Sequence, residues 1–403
     1  MKKIILSFLL LVIVAQQSCF SQNEKQAEMK FFARNVIVGA AQTKLYLPDL
    51  QNKKVALVVN PTSVIGKSHL VDSLLKLHIN IVKIFAPEHG FRGDADAGEE
   101  LNNGIDEKTN LPIISLYGNH KKPTAADLKD VDVIIFDIQD VGARFYTYIS
   151  TLHFVMQAAV ENEKPLIVFD RPNPNGHFVD GPILEIKNKS FVGMHPVPVV
   201  HGMTIGEYAQ MINGENWLDE NGKHLHCDLK IIPCKNYTHH TFYRLPVKPS
   251  PNLPSMKSIY LYPSLCFFEG TVVSLGRGTN KPFQQFGHPD LKNYDYTFTP
   301  KSMSGAMHPP LLNQPCNGKD LSTMKIDSLQ LLAKVDLSFL IEAYKNFPQK
   351  EKFFNNFFLS LAGTEKLRQQ IEQGLSADKI RASWQADLTT FKKMRKKYLL
   401  YEE

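Results

Sequence analysis

The sequence lacks several patterns that would assign it to a common class at once. After the first 22 residues, no apolar run is long enough to span a bilayer, so we expect no transmembrane segment. The first apolar strand pattern is followed by residues 60–63, Asn-Pro-Thr-Ser, instead of the glycine fingerprint of a dinucleotide-binding site. A Gly-x-Ser-x-Gly elbow is also missing, and with it the signature of a serine hydrolase.

Cysteine is scarce, with five in 403 residues. Cys19 falls in the leader, and the other four are widely spaced at Cys227, Cys234, Cys266 and Cys316. Such spacing in a large chain does not form a disulfide framework, even in an oxidising compartment. Cys227 and Cys234 also bracket one predicted strand, which disfavours a bond between them. We therefore expect buried free thiols.

The sequence offers little that would bind a metal ion or a nucleic acid. The histidine pairs at 224 and 226 and at 239 and 240 have no carboxylate companions nearby, so we predict neither a metal site nor a cofactor. The net charge is +6, but the basic residues are spread along the chain. Only residues 392–397 form a dense basic run, which lies on a helical pattern. We interpret it as a solvated helix face and expect no nucleic-acid partner.

The N-terminal residues have the pattern of an export signal. Lys2 and Lys3 form a positive start, residues 4–15 form a short apolar core, and small or polar residues follow. We predict a signal peptide over 1–22 and a periplasmic or secreted protein. Cys19 raises the alternative of a lipid anchor, although residues 16–18 favour cleavage near Ser21.

From about residue 53 to 170, short β-branched runs alternate with helical patterns. This alternation is typical of an α/β fold with a Rossmann-like, mostly parallel sheet and helices on both faces. The predicted strands cover residues 55–59, 79–85, 113–116, 133–137, 166–170 and 229–232. The predicted helices cover residues 69–77, 125–128, 148–161 and 204–217.

The C-terminal part has a different pattern. Residues 245–300 are rich in Pro, Gly and aromatic residues and are predicted to form long ordered loops. Helices are predicted over 327–344, over 364–373 and in a final segment that Ser376 caps. We therefore predict a lead-in over 23–50, a Rossmann-like catalytic domain over 51–245 and a smaller α-rich C-terminal domain over 246–403.

Three polar clusters directly follow predicted strands, at residues 87–93, 137–148 and 170–176. A single Asp at a strand end is often only a cap or turn residue. In a doubly wound sheet, however, ligands bind beyond the carboxyl ends of the strands, where the three clusters would converge. Carboxylates, arginines and aromatic rings together suit a ligand with hydroxyls, an anionic group and an apolar face. A sugar acid fits that description.

The clusters resemble the signature of the NamZ-like exo-β-N-acetylmuramidases. The resemblance covers roughly residues 50–290, in blocks at 86–93, 97–99, 137–148, 170–176, 180–182, 193–198, 201–208, 249–254, 269–271 and 276–279. It implies that the C-terminal domain closes an active cleft against the Rossmann-like domain. The implied activity is a glycosidase that releases terminal N-acetylmuramic acid (MurNAc) from the non-reducing end of peptidoglycan fragments. Muropeptides and MurNAc linked to N-acetylglucosamine (GlcNAc) would be its substrates.

Glycoside hydrolysis requires an acid for the leaving oxygen and a group that stabilises positive charge at the anomeric carbon. We predict Glu88 as the acid, because it follows a strand directly and is flanked by His89 and a permissive glycine. Alternatively, Glu88 pairs with Arg92 or another arginine and orders its loop. Asp137 and Asp140 are the candidates for the second carboxylate. Alternatively, the acetamido group of the substrate is the nucleophile, and one of these aspartates orients it.

MurNAc differs from GlcNAc by a lactyl carboxylate, whose recognition calls for a bidentate cation. The candidates are the arginines in the matching blocks, namely Arg92, Arg144, Arg171 and Arg277. The other predicted substrate-binding residues are His89, Gln139, Tyr146, Tyr148, Asn173, His195, His201, Asn252 and Glu269. Two alternatives remain open, an exo-β-N-acetylglucosaminidase and an exported muropeptide-binding protein without catalysis.

Overall fold

The structure is a computed structural model that describes residues 32–33, 35–88, 90–92, 103–220 and 222–403. The predicted signal peptide, Cys19, His89 and the block at 97–99 lie outside the described residues. Among the residues that are described, no helix is both long and apolar enough to cross a membrane. The four cysteines at 227, 234, 266 and 316 are free and buried, as predicted.

The strands build one large sheet and three small ones. In chain order they are β1 Val55–Val59, β2 Val64–Ile65, β3 Ser68–His69, β4 Ile81–Ala86, β5 Gly104–Ile105, β6 Pro112–Ser115, β7 Val133–Asp137, β8 Leu166–Phe169, β9 Asp180–Ile183, β10 Pro198–Val200, β11 Leu229–Ile232, β12 Gln285–His288, β13 Tyr296–Phe298 and β14 Cys316–Asp320. The large sheet has the order β11-β8-β7-β1-β4-β6-β5. All of its pairs are parallel except β5 with β6.

This order confirms the predicted Rossmann-like fold. Strand β1 pairs with β4 on one side and with β7 on the other. The strands that follow β1 along the chain are therefore added first on one side of it and then on the other, which makes β1 the topological switch point of the sheet. Successive residues of β1 enter opposite cores: Val58 packs in one hydrophobic cluster, and Leu57 and Val59 pack in the other. Because both faces are covered, β1 is apolar at every position and buried throughout.

The helices are short, apart from α4 and the last one. They are α1 Leu47–Leu50, α2 Leu70–Lys76, α3 Ala125–Leu128, α4 Tyr148–Glu161, α5 Ile205–Gly214, α6 Met256–Leu265, α7 Ile326–Leu331, α8 Ser338–Asn346, α9 Lys350–Phe353, α10 Phe357–Ala362, α11 Lys366–Glu372, α12 Ala377–Ser383 and α13 Gln385–Arg395. The bounds predicted for α4 are confirmed. The larger hydrophobic cluster continues from the sheet into the C-terminal helices, where it includes Leu340 and Phe391.

The C-terminal part is rich in helices, as predicted, but four details of that prediction were wrong. Residues 245–300 contain α6 and two strands, and β12, β13 and β14 form an antiparallel sheet that the mainly helical prediction missed. Residues 327–344 form two helices, because the chain between them turns aside at Val335 and Asp336. Their N–H groups donate to Asp180 Oδ2 at 2.7 Å and to Ser264 Oγ at 2.8 Å, respectively.

The final helix predicted after Ser376 is in fact two helices, α12 and α13. Ser376 caps α12 as predicted, since its Oγ accepts a hydrogen bond from the backbone N–H of Lys379. The helix ends at Trp384, whose indole Nε1 donates to Asp180 Oδ1 at 3.1 Å. Arg381 forms an ion pair with the same carboxylate. One buried carboxylate at the start of β9 therefore holds two C-terminal segments, the turn at Val335 and the end of α12, against the first half of the chain.

Candidate active site

A cavity of about 230 Å³ lies where the two halves of the chain meet. Glu88 and Tyr117 enter it from the segments that follow β4 and β6, so it opens beyond the carboxyl ends of the strands. Its other walls come from the region after β7 and from the second half. The residues that line it include Glu88, Tyr117, Phe145, Tyr146, Thr147, Tyr148, Phe191, Ser250, Asn252, Tyr262, Glu269, Arg277 and Phe357.

Six predicted site residues therefore share one cavity: Glu88, Tyr146, Tyr148, Asn252, Glu269 and Arg277. Sequence reasoning missed other lining residues. Tyr117 follows a predicted strand directly, so the rule that identified Glu88 also applies to it. Phe357 lies at the start of α10, far along the chain from every predicted site residue, and no sequence pattern points to it.

Glu88 is half-buried and is held by its neighbours across the cavity. The Thr147 hydroxyl donates to Glu88 Oε2 at 3.2 Å, and the Tyr148 hydroxyl lies 3.4 Å from the backbone oxygen of Glu88. Burial, followed by the charge of Glu88, raises the pKa of Tyr148. Tyr148 therefore keeps its proton and can donate a hydrogen bond at the wall of the cavity.

Tyr146 and Asn252 are also fixed by hydrogen bonds to the backbone. The Tyr146 hydroxyl donates to the carbonyl of Pro249 at 2.6 Å, and Asn252 Nδ2 donates to the carbonyl of Gly305 at 2.8 Å. The ring of Tyr146 meets that of Tyr148 edge-on at 4.9 Å. These contacts fix the aromatic and amide side chains on this wall, so this part of the cavity is largely preformed.

The opposite wall carries an ion pair. Arg277 Nε and Nη2 both donate to Glu269 Oε1, at 3.0 and 2.5 Å. The Cys266 thiol lies 3.5 Å from Glu269 Oε2. Burial alone would lower the pKa of Arg277, but the Glu269 carboxylate raises it. Arg277 Nη1 makes no hydrogen bond within the part of the chain that the structure describes, which leaves it available to a ligand.

The turn that presents Arg277 depends on the glycines on either side of it. Gly276 and Gly278 both have positive φ, at 74° and 77°. A Cβ at Gly276 would lie 2.5 Å from the side chain of Gln285, and one at Gly278 would lie 2.4 Å from the carbonyl oxygen of Lys301. Any other residue would therefore be strained and obstructed at both positions.

A second cavity of about 730 Å³ adjoins the first. The two cavities share Glu269, Arg277 and Phe357, which therefore mark the junction between them. The walls of the larger cavity are mostly apolar. They include Thr271, Val272, Val273, Leu275, Met307, His308 and Pro309.

Asp137 and Asp140, the two candidates for the second carboxylate, lie outside both cavities. Asp137 is fully buried and accepts two hydrogen bonds from Arg171, from Nε at 2.6 Å and from Nη2 at 2.8 Å. Asp140 is also buried, and it accepts a 2.6 Å hydrogen bond from the N–H of Gly142. Burial raises the pKa of Asp140 to about 7. None of Asp137, Asp140 and Arg171 lines either cavity.

Two other predicted arginines have protein partners outside the cavities. Arg92 forms ion pairs with Asp72 and Asp106, both at 2.9 Å. Arg144 is fully buried, and its guanidinium donates to four backbone carbonyls at 2.7–2.9 Å. These carbonyls belong to Pro182, Val197, Leu361 and Ala362. Arg144 therefore joins the two halves of the chain.

The remaining predicted binding residues are buried around the sheet. Gln139 Nε2 donates to the carbonyls of Asp140 and Pro172, and Asn173 Nδ2 donates to the carbonyl of Met203. His195 lies between His153 and Tyr208, 3.0 Å from each, and stacks on Trp217. Burial lowers the pKa of His201 to about 3 and that of His153 to about 4. None of these predicted residues lines the cavities.

These buried imidazoles predict acid sensitivity. His153 and His201 are neutral in the folded chain, whereas the unfolded chain binds protons near pH 6.5. Their contribution to stability is complete above pH 6.5 and is lost as the pH falls towards 4 and 3. We expect each histidine to lower the free energy of unfolding by about 1.4 kcal/mol per pH unit within its window. Urea unfolding at several pH values between 7 and 4 measures this slope.

In that experiment His153→Gln should reduce the dependence of the free energy of unfolding on pH by the contribution of one histidine. The matched control is His224→Gln, because the His224 side chain is 86% exposed and should leave the slope as it is. Equal slopes in the His153 variant and in the wild type would contradict the argument.

Comparison with known proteins gives consistent matches over most of the chain. The protein-family model for the N-terminal part of the exo-beta-N-acetylmuramidase NamZ matches residues 55–257. The family model for the C-terminal part of NamZ matches residues 260–401. The peptidoglycan beta-N-acetylmuramidase NamZ of Bacillus subtilis (strain 168) is 40% identical over 377 residues, which cover 88% of this chain and 89% of that protein.

Two crystal structures of DUF1343 family proteins from Bacteroides fragilis NCTC 9343 are also similar. One has a TM-score of 0.85 at 51% identity, and the other has a TM-score of 0.74 at 28% identity. Each comparison covers 92% of this chain and 100% of the other chain.

Proposed function

The chain belongs to the exo-β-N-acetylmuramidase family NamZ, and we infer that it is a glycosidase that releases terminal MurNAc from the non-reducing end of peptidoglycan fragments. One observation carries the inference. Glu88 and Glu269, from the two halves of the chain, line a single cavity of monosaccharide size together with Arg277. Paired carboxyl groups around such a space are what glycoside hydrolysis requires.

We assign Glu88 as the general acid. In this role it donates its proton to the glycosidic oxygen as the bond from that oxygen to the anomeric carbon breaks. A water molecule then adds to the anomeric carbon and releases a proton, which restores the acid form of Glu88. The hydrogen bond from Thr147 holds Oε2 in one orientation, which restricts the directions in which the carboxyl group can point into the cavity. Positioning of this kind is part of what makes a general acid effective.

For the second carboxylate we propose Glu269 in place of Asp137 and Asp140, because Glu269 lines the cavity and the two aspartates do not. Arg277 donates twice to Glu269 Oε1, so Glu269 acts as an acceptor and not as a second acid. Facing the sugar, its negative charge stabilises the positive charge that develops at the anomeric carbon.

Arg277 is the arginine that we propose for the lactyl carboxylate of MurNAc. It lines the cavity, and its hydrogen bonds to the described residues are made by Nε and Nη2, not by Nη1. The guanidinium groups of Arg92, Arg144 and Arg171 already bind protein carboxylates or carbonyls. A charge-assisted hydrogen bond at Nη1 would select MurNAc over GlcNAc.

Hydrolysis of a chromogenic β-N-acetylmuraminide, beside its β-N-acetylglucosaminide counterpart, tests the proposed function. The wild-type chain should hydrolyse the first and not the second. Equal hydrolysis of both would favour an exo-β-N-acetylglucosaminidase. Saturable muropeptide binding without turnover of either substrate would favour a binding protein.

Substitution of the proposed specificity residue should change selectivity. We expect Arg277→Lys to lower the ratio of kcat/KM for the muraminide to kcat/KM for the glucosaminide by about tenfold or more, because one ammonium group cannot both hold Glu269 and present a donor in the place of Nη1. Arg92→Lys is the matched control and should leave the ratio unchanged. A ratio that stays at the wild-type value in Arg277→Lys would exclude Arg277 as the lactyl-binding residue.

We also propose that the chain is exported through its first 22 residues, with a lipid anchor at Cys19 as the alternative form. The support is the charged, apolar and polar order of the leader. Determination of the mature N-terminus after expression with the full leader tests this. A start near Ser21 indicates cleavage of a signal peptide, a modified Cys19 indicates the anchored form, and an intact Met1 would contradict both.

A further inference from the structure

The last helix carries a basic surface that the proposed reaction does not use. Residues 392–403 hold five basic and two acidic side chains. Four of the basic residues are lysines, at 392, 393, 396 and 397, and all four are exposed. Positions four apart lie on the same side of a helix, so the two pairs form one surface on α13 and on the 3-10 turn that continues it. We call the surface of these four lysines the lysine face.

The fifth basic residue of this segment is turned inwards. Arg395 is buried, and it donates to the carbonyl of Gly202 from Nε at 3.2 Å and from Nη2 at 2.6 Å. It also forms an ion pair with Glu403. On the lysine face itself, Lys397 forms a 3.1 Å ion pair with Glu215. Three lysines of this face have no ion pair within the part of the chain that the structure describes, namely Lys392, Lys393 and Lys396.

Apolar side chains are exposed beside the lysine face. Leu400, three residues after it, is 40% exposed. Ile37 is 37% exposed and pairs with Lys235 in an isolated bridge. The preceding residue, Cys234, donates its N–H to the Tyr401 hydroxyl at 2.7 Å, so Ile37 and Leu400 belong to neighbouring segments. Lysines combined with exposed apolar side chains are typical of a surface that lies on a membrane, where the lysines meet lipid headgroups and the apolar groups reach the acyl boundary.

Both ends of the described chain meet one segment close to this surface. The N–H of Ala33 donates to the carbonyl of Phe242 at 2.7 Å, and the N–H of His239 donates to the carbonyl of Glu402 at 2.9 Å. The chain therefore arrives from its leader close to the segment that follows the lysine face. Because an export signal engages the membrane, export brings this side of the molecule to the membrane surface.

We propose that the lysine face binds an anionic membrane surface. The lysine ammonium groups pair with lipid phosphates, and Leu400 enters the headgroup region. Binding of this kind keeps the exported protein beside the membrane, and it needs neither a lipid at Cys19 nor the glycosidase activity proposed above.

A nucleic acid is another polyanion, and it fits this surface less well. Proteins that bind single strands stack the bases on exposed aromatic rings. The two aromatic residues of this segment are engaged within the protein instead. The Tyr398 hydroxyl donates to Glu215 at 2.6 Å, and the Tyr401 hydroxyl donates to Asp170 at 2.5 Å.

Cosedimentation with lipid vesicles tests the proposal on the exported chain, without its leader. The vesicles contain phosphatidylcholine alone or phosphatidylcholine with phosphatidylglycerol, which is anionic. The wild type should bind only the anionic vesicles, and less so as the salt concentration rises. Lys392→Gln combined with Lys396→Gln should lower the partition coefficient by roughly 25-fold, at about fivefold for each lysine. Lys129→Gln combined with Lys345→Gln is the charge-matched control, because both lysines are exposed on other elements, and it should bind nearly as the wild type does.

Equal binding of the wild type to both kinds of vesicle, or binding to neither, would overturn the proposal. An equal loss in the two double variants would also overturn it, because net charge and not the lysine face would then decide binding. Binding to double-stranded DNA without binding to vesicles would assign the surface to a nucleic acid and contradict the proposal. Both double variants should hydrolyse the chromogenic muraminide as the wild type does, so a failure of the proposed function appears in a separate assay.

Discussion

Replacement of Glu88 by glutamine is expected to lower kcat on an N-acetylmuraminide with a poor leaving group by about 10²–10⁴-fold, the usual contribution of a general acid. Glutamine keeps the size and the polar contacts of the side chain but has no proton to give. KM should change little, because the amide oxygen can still accept the hydrogen bond from Thr147. Steady-state kinetics with the purified variant measure the effect.

The leaving group provides the decisive comparison. A dinitrophenyl glycoside leaves as a stable phenolate and needs little protonation, so the same variant should recover most of its rate on that substrate. Thr147→Val is the companion variant, since it keeps the acid and removes only the hydrogen bond that orients it, and its loss should be much smaller. An equally large loss in Glu88→Gln on both leaving groups would show that Glu88 does not act as the acid.

Stability measurements separate this effect from misfolding. Glu88 is half-buried at the edge of a cavity, and glutamine keeps its size and can still accept the hydrogen bond from Thr147. The free energy of unfolding measured in urea should therefore remain within about 0.5 kcal/mol of the wild-type value, as for most substitutions away from the core.

The main sheet could be predicted from the sequence because its signal is local. Strands β1, β7 and β8 are continuous apolar runs that are buried on both faces, and each run was recognisable without any knowledge of its neighbours. The three-stranded sheet was missed because β14 reads Cys-Asn-Gly-Lys-Asp, a sequence with no β-branched residue. Its strand conformation comes from pairing with β12 and β13, which are distant in sequence or short.

Prediction of the site was also limited to signals that are local in the sequence. Glu88 and the tyrosines at 146 and 148 were identifiable because they follow strands that end at one edge of the sheet. The sequence could not show which arginine is satisfied within the protein. Arg144 and Arg277 lie in equally similar blocks, yet Arg144 binds four carbonyls and Arg277 faces the cavities. That difference depends on partners hundreds of residues away, such as Leu361.

The second large effect concerns stability. Asp137→Asn is expected to lower the free energy of unfolding by about 3–5 kcal/mol, because it leaves Arg171 charged and buried without its counterion. The side chains of Asp137 and Arg171 are 0% and 1% exposed, so water cannot replace the lost partner. Urea unfolding at neutral pH measures the loss. Glu161→Gln is the matched control, because it breaks an ion pair with Lys122 in which both side chains are 35% exposed, and it should cost less than about 1 kcal/mol.

The same variant decides between the two candidates for the second carboxylate. If Asp137 only balances the charge of Arg171, the folded fraction of Asp137→Asn should keep a kcat near the wild-type value at low temperature. Asp137→Asn combined with Arg171→Met should recover part of the lost stability, because no buried charge is then left unpaired. If Asp137 acts on the substrate, kcat should instead fall by several orders of magnitude while the unfolding midpoint hardly moves. That outcome would restore Asp137 to the reaction and remove Glu269 from it, since one cavity cannot draw its second carboxylate from both places.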